Sequence, residues 1–147
     1  MDKLRVLLIE DNLDDAATIV SQVQKAFAPG TVEYKRVDRE DDLVKALANP
    51  WDVILCDYLV PYLPWPTALR HAQNRMCNVP FIVASGLIGE DDAGLSAIRD
   101  GAWDAISKTH LNRLGHVIRR EMARAEALAS HYAVRQLFVK SIEKISK

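Results

Sequence analysis

Short aliphatic runs, each closed by a polar or charged residue, recur along the chain. Arg5-Val-Leu-Leu-Ile-Glu10 is the first, Val53-Ile-Leu-Cys-Asp57 the third, Phe81-Ile-Val-Ala-Ser85 the fourth, and Ala105-Ile106 before Ser107-Lys108 a brief fifth. Runs of this length without polar alternation read as strands buried on both faces. Val32 to Val37 is more polar and reads as a second strand at a sheet edge. Helical periods separate the strands. Ala16, Ile19, Val20, Val23, Ala26 and Phe27 fall on one face of a helix over Asp14 to Phe27, with acids in its first turn and Pro29-Gly30 ending it. A shorter helix, with Asp38 as its expected cap, carries Leu43, Val44, Ala46 and Leu47 and ends at Asn49-Pro50. Pro66 is expected at the first position of a helix reaching about Arg75, and Glu90 to Arg99 reads as a helix closed by Asp100-Gly101. This alternation predicts an α/β fold, a parallel sheet with right-handed crossovers and cover on both faces.

From Leu111 onward the pattern changes. Leu111, Leu114, Ile118, Met122, Ala125, Leu128, Tyr132, Val139 and Ile142 keep a three-four spacing to the chain end, with Arg135 at one seam position and Gly115 as the sole breaker. Such a helix spans on the order of 50 Å, more than the body needs for cover. Its last half is therefore expected to pair with something else, and a coiled-coil-like homodimer is the reading adopted, with a linker to a further domain as the other. Charge divides at nearly the same place. Residues 1–107 carry 10 basic and 17 acidic side chains, net −7, and residues 108–147 carry 9 and 3, net +6. Arg119, Arg120 and Arg124 form a basic patch without aromatic interleaving, so a solvated face is expected in preference to a nucleic-acid contact.

A hydrophobic fraction of 49% with 27% charged residues leaves enough apolar material for one core and excludes a disordered chain. No run approaches the roughly 18 apolar residues of a membrane span, and the acids in MDKLRVLLIE do not suit a secretory signal, so a cytoplasmic location is expected. Cys56 lies in a buried strand and Cys77 in a loop, which predicts no disulfide.

The chemistry sits where strands end. Glu10 with Asp11, Asp57, Ser85 and Lys108 stand at the carboxyl ends of four different aliphatic runs, the edge at which ligands bind in open parallel sheets. Three carboxylates there raise one another's pKa unless a cation intervenes. A shallow site with few protein oxygens suits Mg²⁺ better than Ca²⁺. With a metal, the Lys108 ammonium and the Ser85 hydroxyl around it, Asp57 is placed as a nucleophile for a phosphoryl group. His71, His110, His116 and His131 show no ligand spacing, and Trp51, Trp65 and Trp103 read as packing residues or loop anchors, with a partner contact as the other reading of Trp65.

In this order the residues resemble the receiver domain of two-component response regulators, over roughly residues 4–120: an acid pair after the first strand, Asp57 followed four residues later by Pro61, Ser85, Gly101-Ala102, then Lys108. The resemblance implies a flavodoxin-like, doubly wound five-stranded parallel sheet of order 2-1-3-4-5, a receiver over residues 1–120 and an extension of the last helix over 121–147. It implies that Asp57 takes phosphate from a sensor histidine kinase or phosphotransfer protein, without turnover of a separate substrate. Asp11, Asp57 and the backbone carbonyl of Leu59 would ligate Mg²⁺, with Glu10 acting through water, while Ser85 and Lys108 would contact phosphoryl oxygens. Ser85 to Glu90 and Ser107 to Leu114 look like a subgroup of receivers linked to sensory or regulatory modules in place of DNA-binding domains.

Departures from the family pattern stand at three positions. Ala105 replaces the aromatic usual three before the lysine, Thr109 replaces the proline usual after it, and Trp65 stands between prolines in the loop after Asp57. Output is then expected through residues 86–89 and the following helix, and a receiver-like binding module that takes no phosphate is the alternative. Leu59 and Leu87 are apolar where members often place polar groups, which predicts slow hydrolysis of the acyl phosphate. A haloacid-dehalogenase-like phosphatase would need a second Asp where Leu59 stands.

Overall fold

Five strands form one parallel sheet: β1 (Leu4–Ile9), β2 (Val32–Val37), β3 (Val53–Asp57), β4 (Phe81–Ser85) and β5 (Asp104–Ser107), in the order β2-β1-β3-β4-β5. The helices are α1 (Leu13–Ala26), α2 (Glu40–Ala46), α3 (Trp65–Arg75), α4 (Asp91–Arg99) and α5 (Leu114–Ser146). The computed structural model describes residues 3–28, 30–86 and 91–146. Leu87, the rest of the expected output loop beyond Gly86, and Glu90 lie outside the described residues.

Side chains alternate across each strand, so the sheet carries two cores. Leu7, Ile9, Ile54, Cys56, Phe81 and Val83 point to the face that also buries Leu43 of α2, Ala68 and Leu69 of α3 and Ala97 of α4. Leu4, Val6, Leu8, Val53, Leu55 and Ile82 point to the other, where Ile19 and Val23 of α1 meet Leu114 and Ile118 of α5. Burial on both faces is why the three central strands read as unbroken aliphatic runs. In β2 only Val37 is buried, as the polar sequence of an edge strand predicts.

Helix boundaries correct some of the sequence reading. Asp14 and Asp15 stand in the first turn of α1 as expected, and Asn12 caps it: its Oδ1 accepts the Asp15 N–H at 2.9 Å. Asp38 does not cap α2, whose preceding residue is Arg39; Asp38 instead pairs with Arg36 at 3.5 Å. The α3 helix begins at Trp65, so Pro66 takes its second position. Gly101 closes α4 with φ +120°, and the Ala102 N–H reaches back to the Ala97 carbonyl at 3.0 Å. Lys108–Arg113 is a 3-10 turn that leads into α5.

Gly115 breaks nothing. It sits inside α5 where the helix crosses α1, and a Cβ there would overlap the Ala26 methyl. Beyond that crossing α5 runs down the sheet and leaves it at the edge opposite the carboxyl ends of the strands, and from Glu126 to Ile145 every residue is exposed. Among the described residues no helix is long and apolar enough to cross a membrane.

Candidate functional site

The register of the sheet builds the site. Ile9 pairs with Cys56, so Glu10, one residue on, comes level with Asp57 at the end of β3. Ser85 pairs with Ser107, which puts Lys108 one step past the end of the next strand. All the residues expected at the strand ends thus converge on one edge. Glu10 is fully buried, and Asp57 and Ser85 are nearly so, at 7% and 8% exposed.

Lys108 is the hub. Its Nζ lies 3.1 Å from Asp57 Oδ1 and donates to Glu10 Oε2 at 3.0 Å and to Asp15 Oδ2 at 2.8 Å. Burial opposes the ammonium charge, but the hydrogen bonds to Asp15, Glu10 and Asp57 outweigh it and hold the lysine above its usual range. Burial likewise pushes the Asp57 carboxyl above the ordinary range; Lys108 and the Leu59 backbone N–H pull against that rise, and the Asp11 charge adds to it. Glu10 is also raised, chiefly by burial, with the Asn12 N–H and Lys108 acting in the other direction.

The order of residues alone marks neither Asp15 nor Asn12 as part of the site. The two close a ring: Asn12 N–H donates to Glu10 Oε1 at 3.1 Å, Asp15 N–H donates to Asn12 Oδ1, and Lys108 joins Asp15 back to Glu10. The signal available beforehand was the capping pattern, an Asn with an acid three residues on at the start of a helix that follows an active strand end.

Oxygen atoms of Glu10, Asp11 and Asp57 all lie within 4.8 Å of one another. Oxygens around one Mg²⁺ at about 2.1 Å are separated by roughly 3–4 Å, so these three carboxylates can share an ion after small rotations. Two are buried and Asp11 is exposed, a shallow cup open on one side. Among the described residues no other group of His, Cys, Asp and Glu is so placed; His71, for example, is held by Glu40 at 2.9 Å.

Around the cup the departures acquire physical reasons. The α4 backbone presses on β5 where Ala105 stands: a Cβ on Gly94 would lie 3.4 Å from the Ala105 Cβ, so α4 already occupies the space over that residue. Trp65 is buried and stacks on Tyr58 at 6.1 Å, making it a core residue and not an exposed loop anchor. The Thr109 N–H donates to Ser107 Oγ at 3.2 Å and opens the 3-10 turn. On the rim, Leu13, Leu59 and Tyr62 are each more than 60% exposed, the first two lying two residues beyond Asp11 and Asp57.

No family model and no curated protein matches the chain by sequence. Solved structures match it by shape. The receiver domain of a Francisella response regulator aligns with a TM-score of 0.68 at 19% identity, over 83% of this chain and 98% of that one. The signal receiver domain of an HD domain-containing protein from Pseudomonas fluorescens Pf-5 gives 0.69 at 16% identity, over 88% and 94%. The receiver domain of a sensor histidine kinase from Pseudomonas aeruginosa PAO1, with a magnesium ion coordinated in its active site cleft, gives 0.62 at 20% identity, over 82% and 98%. With its strand order of 2-1-3-4-5 and α5 running on beyond the body, this chain has the fold of the response regulator receiver domains.

Proposed function

We propose that the chain is a receiver of two-component signalling, in which Asp57 accepts a phosphoryl group from a phosphohistidine on a sensor histidine kinase or phosphotransfer protein. The observation that carries this is the meeting of Glu10, Asp11 and Asp57 within 4.8 Å beside the Lys108 ammonium. Such a set suits holding a cation and a polyanion against one nucleophilic carboxylate.

The chain's own groups divide the work. An Asp57 carboxylate oxygen attacks phosphorus in line, the P–N bond breaks, an acyl phosphate forms, and the imidazole leaves and takes up a proton. Lys108 holds Asp57 Oδ1 at 3.1 Å and neutralises charge on the attacking carboxylate and the incoming phosphoryl group. Ser85, at the end of the adjacent strand, would contact a phosphoryl oxygen through its hydroxyl. Asp11, Asp57 and the Leu59 carbonyl would hold Mg²⁺, with Glu10 through water; when bound, the ion neutralises phosphoryl oxygens. Exposed Leu13, Leu59 and Tyr62 give a protein donor an apolar rim to dock on.

Residues 1–120 form the receiver in this reading and 121–147 the extension, whose exposed face pairs two copies as the output. The domain works in the cytoplasm, assists its own phosphorylation and dephosphorylation, and turns over no separate substrate.

Incubation with Mg²⁺ and a small acyl phosphate, followed by intact-mass measurement, tests the reading. Wild-type protein gains the mass of one phosphoryl group and Asp57→Asn gains none; a wild-type chain that stays unmodified, or an equal gain in the variant, overturns it. Loss of the mass gain after the donor is removed reports the acyl-phosphate lifetime. With Leu59 63% exposed and offering no group to orient water, that lifetime is expected to exceed minutes, and a decay within seconds contradicts the role given to Leu59.

A further inference from the structure

We infer that the exposed half of α5 pairs antiparallel with the same segment of a second copy and brings the partner's chain end to a groove at the foot of the sheet. The inference rests on the homodimer reading above and adds its direction. From Glu126 to Ile145 about 30 Å of bare helix extends beyond the body. At 100° per residue Leu128, Tyr132, Phe138, Val139, Ile142 and Ile145 fall on one arc, and every one of them is at least 47% exposed. Arg135 lies within that arc, in the middle of the segment.

Charge selects the direction. A parallel pair sets Arg135 against Arg135 in the seam and brings two bodies, each net −7 over residues 1–107, side by side. Like charges so placed oppose association. An antiparallel pair centred between Arg135 and Phe138 removes both problems. Each Arg135 guanidinium then meets the partner's Phe138 ring, a favourable cation–π arrangement, and the bodies stand at opposite ends. Leu128 meets the partner's Ile145, and the basic chain end carrying Lys140 and Lys144 reaches the foot of the other body.

The receiving surface is present there. Phe27, Trp51, Val79 and Met122 line an open groove of about 660 Å³ between the amino edge of the sheet and the departing helix, with the carboxylates of Asp52 and Glu126 and the guanidinium of Arg119 as its charges. In the antiparallel register the partner's Lys144 arrives beside Ala129, one turn from Glu126. The Glu126 side of a partly apolar groove then faces the basic, apolar segment carrying Lys140 and Lys144, a match that no parallel register provides.

Crosslinking of the 147-residue chain in a Cys77→Ser background decides the matter, because Cys77 is exposed and Cys56 is buried. Leu128→Cys and Ile145→Cys chains are oxidised separately and as a mixture, and the unmodified protein is sized by sedimentation equilibrium. The expected result is a dimer by mass, with a disulfide-linked dimer in the mixture and its loss when either chain is alone. Linkage of the Leu128→Cys chain to itself shows a parallel pair and overturns the inference while leaving the homodimer standing, as does a dimer by mass without linkage in any arm. A monomer at all concentrations overturns both. The mass gain on Asp57 is unaffected by any of these outcomes, so the phosphoacceptor reading is tested apart.

Discussion

Lys108→Ala is expected to slow phosphoryl uptake from a small acyl phosphate by about 10²–10³-fold, the usual loss when one preorganised donor to a developing oxyanion is removed. The same change acts on stability. Lys108 is the ammonium that neutralises Glu10, and Glu10 has no exposed surface. Without it the glutamate keeps the Asn12 N–H as its hydrogen bond and must either remain charged in the interior or take up a proton. Protonation sets the ceiling on that cost: neutralising a carboxyl of ordinary pKa at pH 7 takes about 3.7 kcal/mol. A loss of about 2–4 kcal/mol is therefore expected by urea unfolding in the presence of a chelator, in line with breaking a buried ion pair. Added Mg²⁺ is expected to restore part of it, since a divalent cation among Glu10, Asp11 and Asp57 replaces the missing charge. Asp15→Asn is the contrasting variant. Asp15 is half exposed, its pairing with Lys108 is screened, and its loss leaves Lys108 two other carboxylates, so less than about 1 kcal/mol is expected. A Lys108→Ala chain with uptake within tenfold of wild type removes the lysine from the phosphoryl group's contacts; unchanged stability shows that Glu10 is already protonated.

The second large effect lies away from the site. Gly115→Ala is expected to destabilise the fold by about 1–3 kcal/mol, although alanine is the better helix former by about 1 kcal/mol. Two terms compete, and geometry decides between them. The new methyl would overlap the Cβ of Ala26, which has no rotamer to yield, so α1 and α5 must move apart. That separation opens the seam in which Ile19, Val23, Leu114 and Ile118 are buried. The Arg119 guanidinium, stacked over Phe27 at 4.3 Å and bonded to the Ala26 carbonyl, would shift with it. Adding Ala26→Gly should recover most of the loss, because it vacates the same space. Thermal or urea unfolding of the two variants checks this, and a Gly115→Ala chain as stable as wild type means that the helices do not meet so closely.

Much of this molecule is legible in the order of its residues, because each central strand is buried on both faces and therefore written as an unbroken aliphatic run. Those runs end in the site residues, so finding the strands also found Glu10, Asp57, Ser85 and Lys108. The parts that escaped depend on contacts between distant segments. Asp38 has the composition of a cap but is drawn to Arg36, while Asn12 caps α1 and sets Asp15 under Lys108. Ala105 looks like a lost aromatic until α4 is seen close above it at Gly94. Trp65 reads as a loop residue because prolines flank it, and its burial on Tyr58 appears only once α3 is in place.

By itself the sequence determined the α/β alternation, the edge at which the chemistry sits, the identity of the phosphoacceptor candidate and the existence of a helix longer than its body. Periodicity and local capping carry that information, since each depends on residues a few positions apart. Only the tertiary structure decided that Lys108 grips three carboxylates, that Gly115 is a contact and not a break, and that α5 is bare from Glu126 onward. These follow from which surfaces the sheet brings together, and residues up to 98 positions apart in the chain meet there at hydrogen-bond distance.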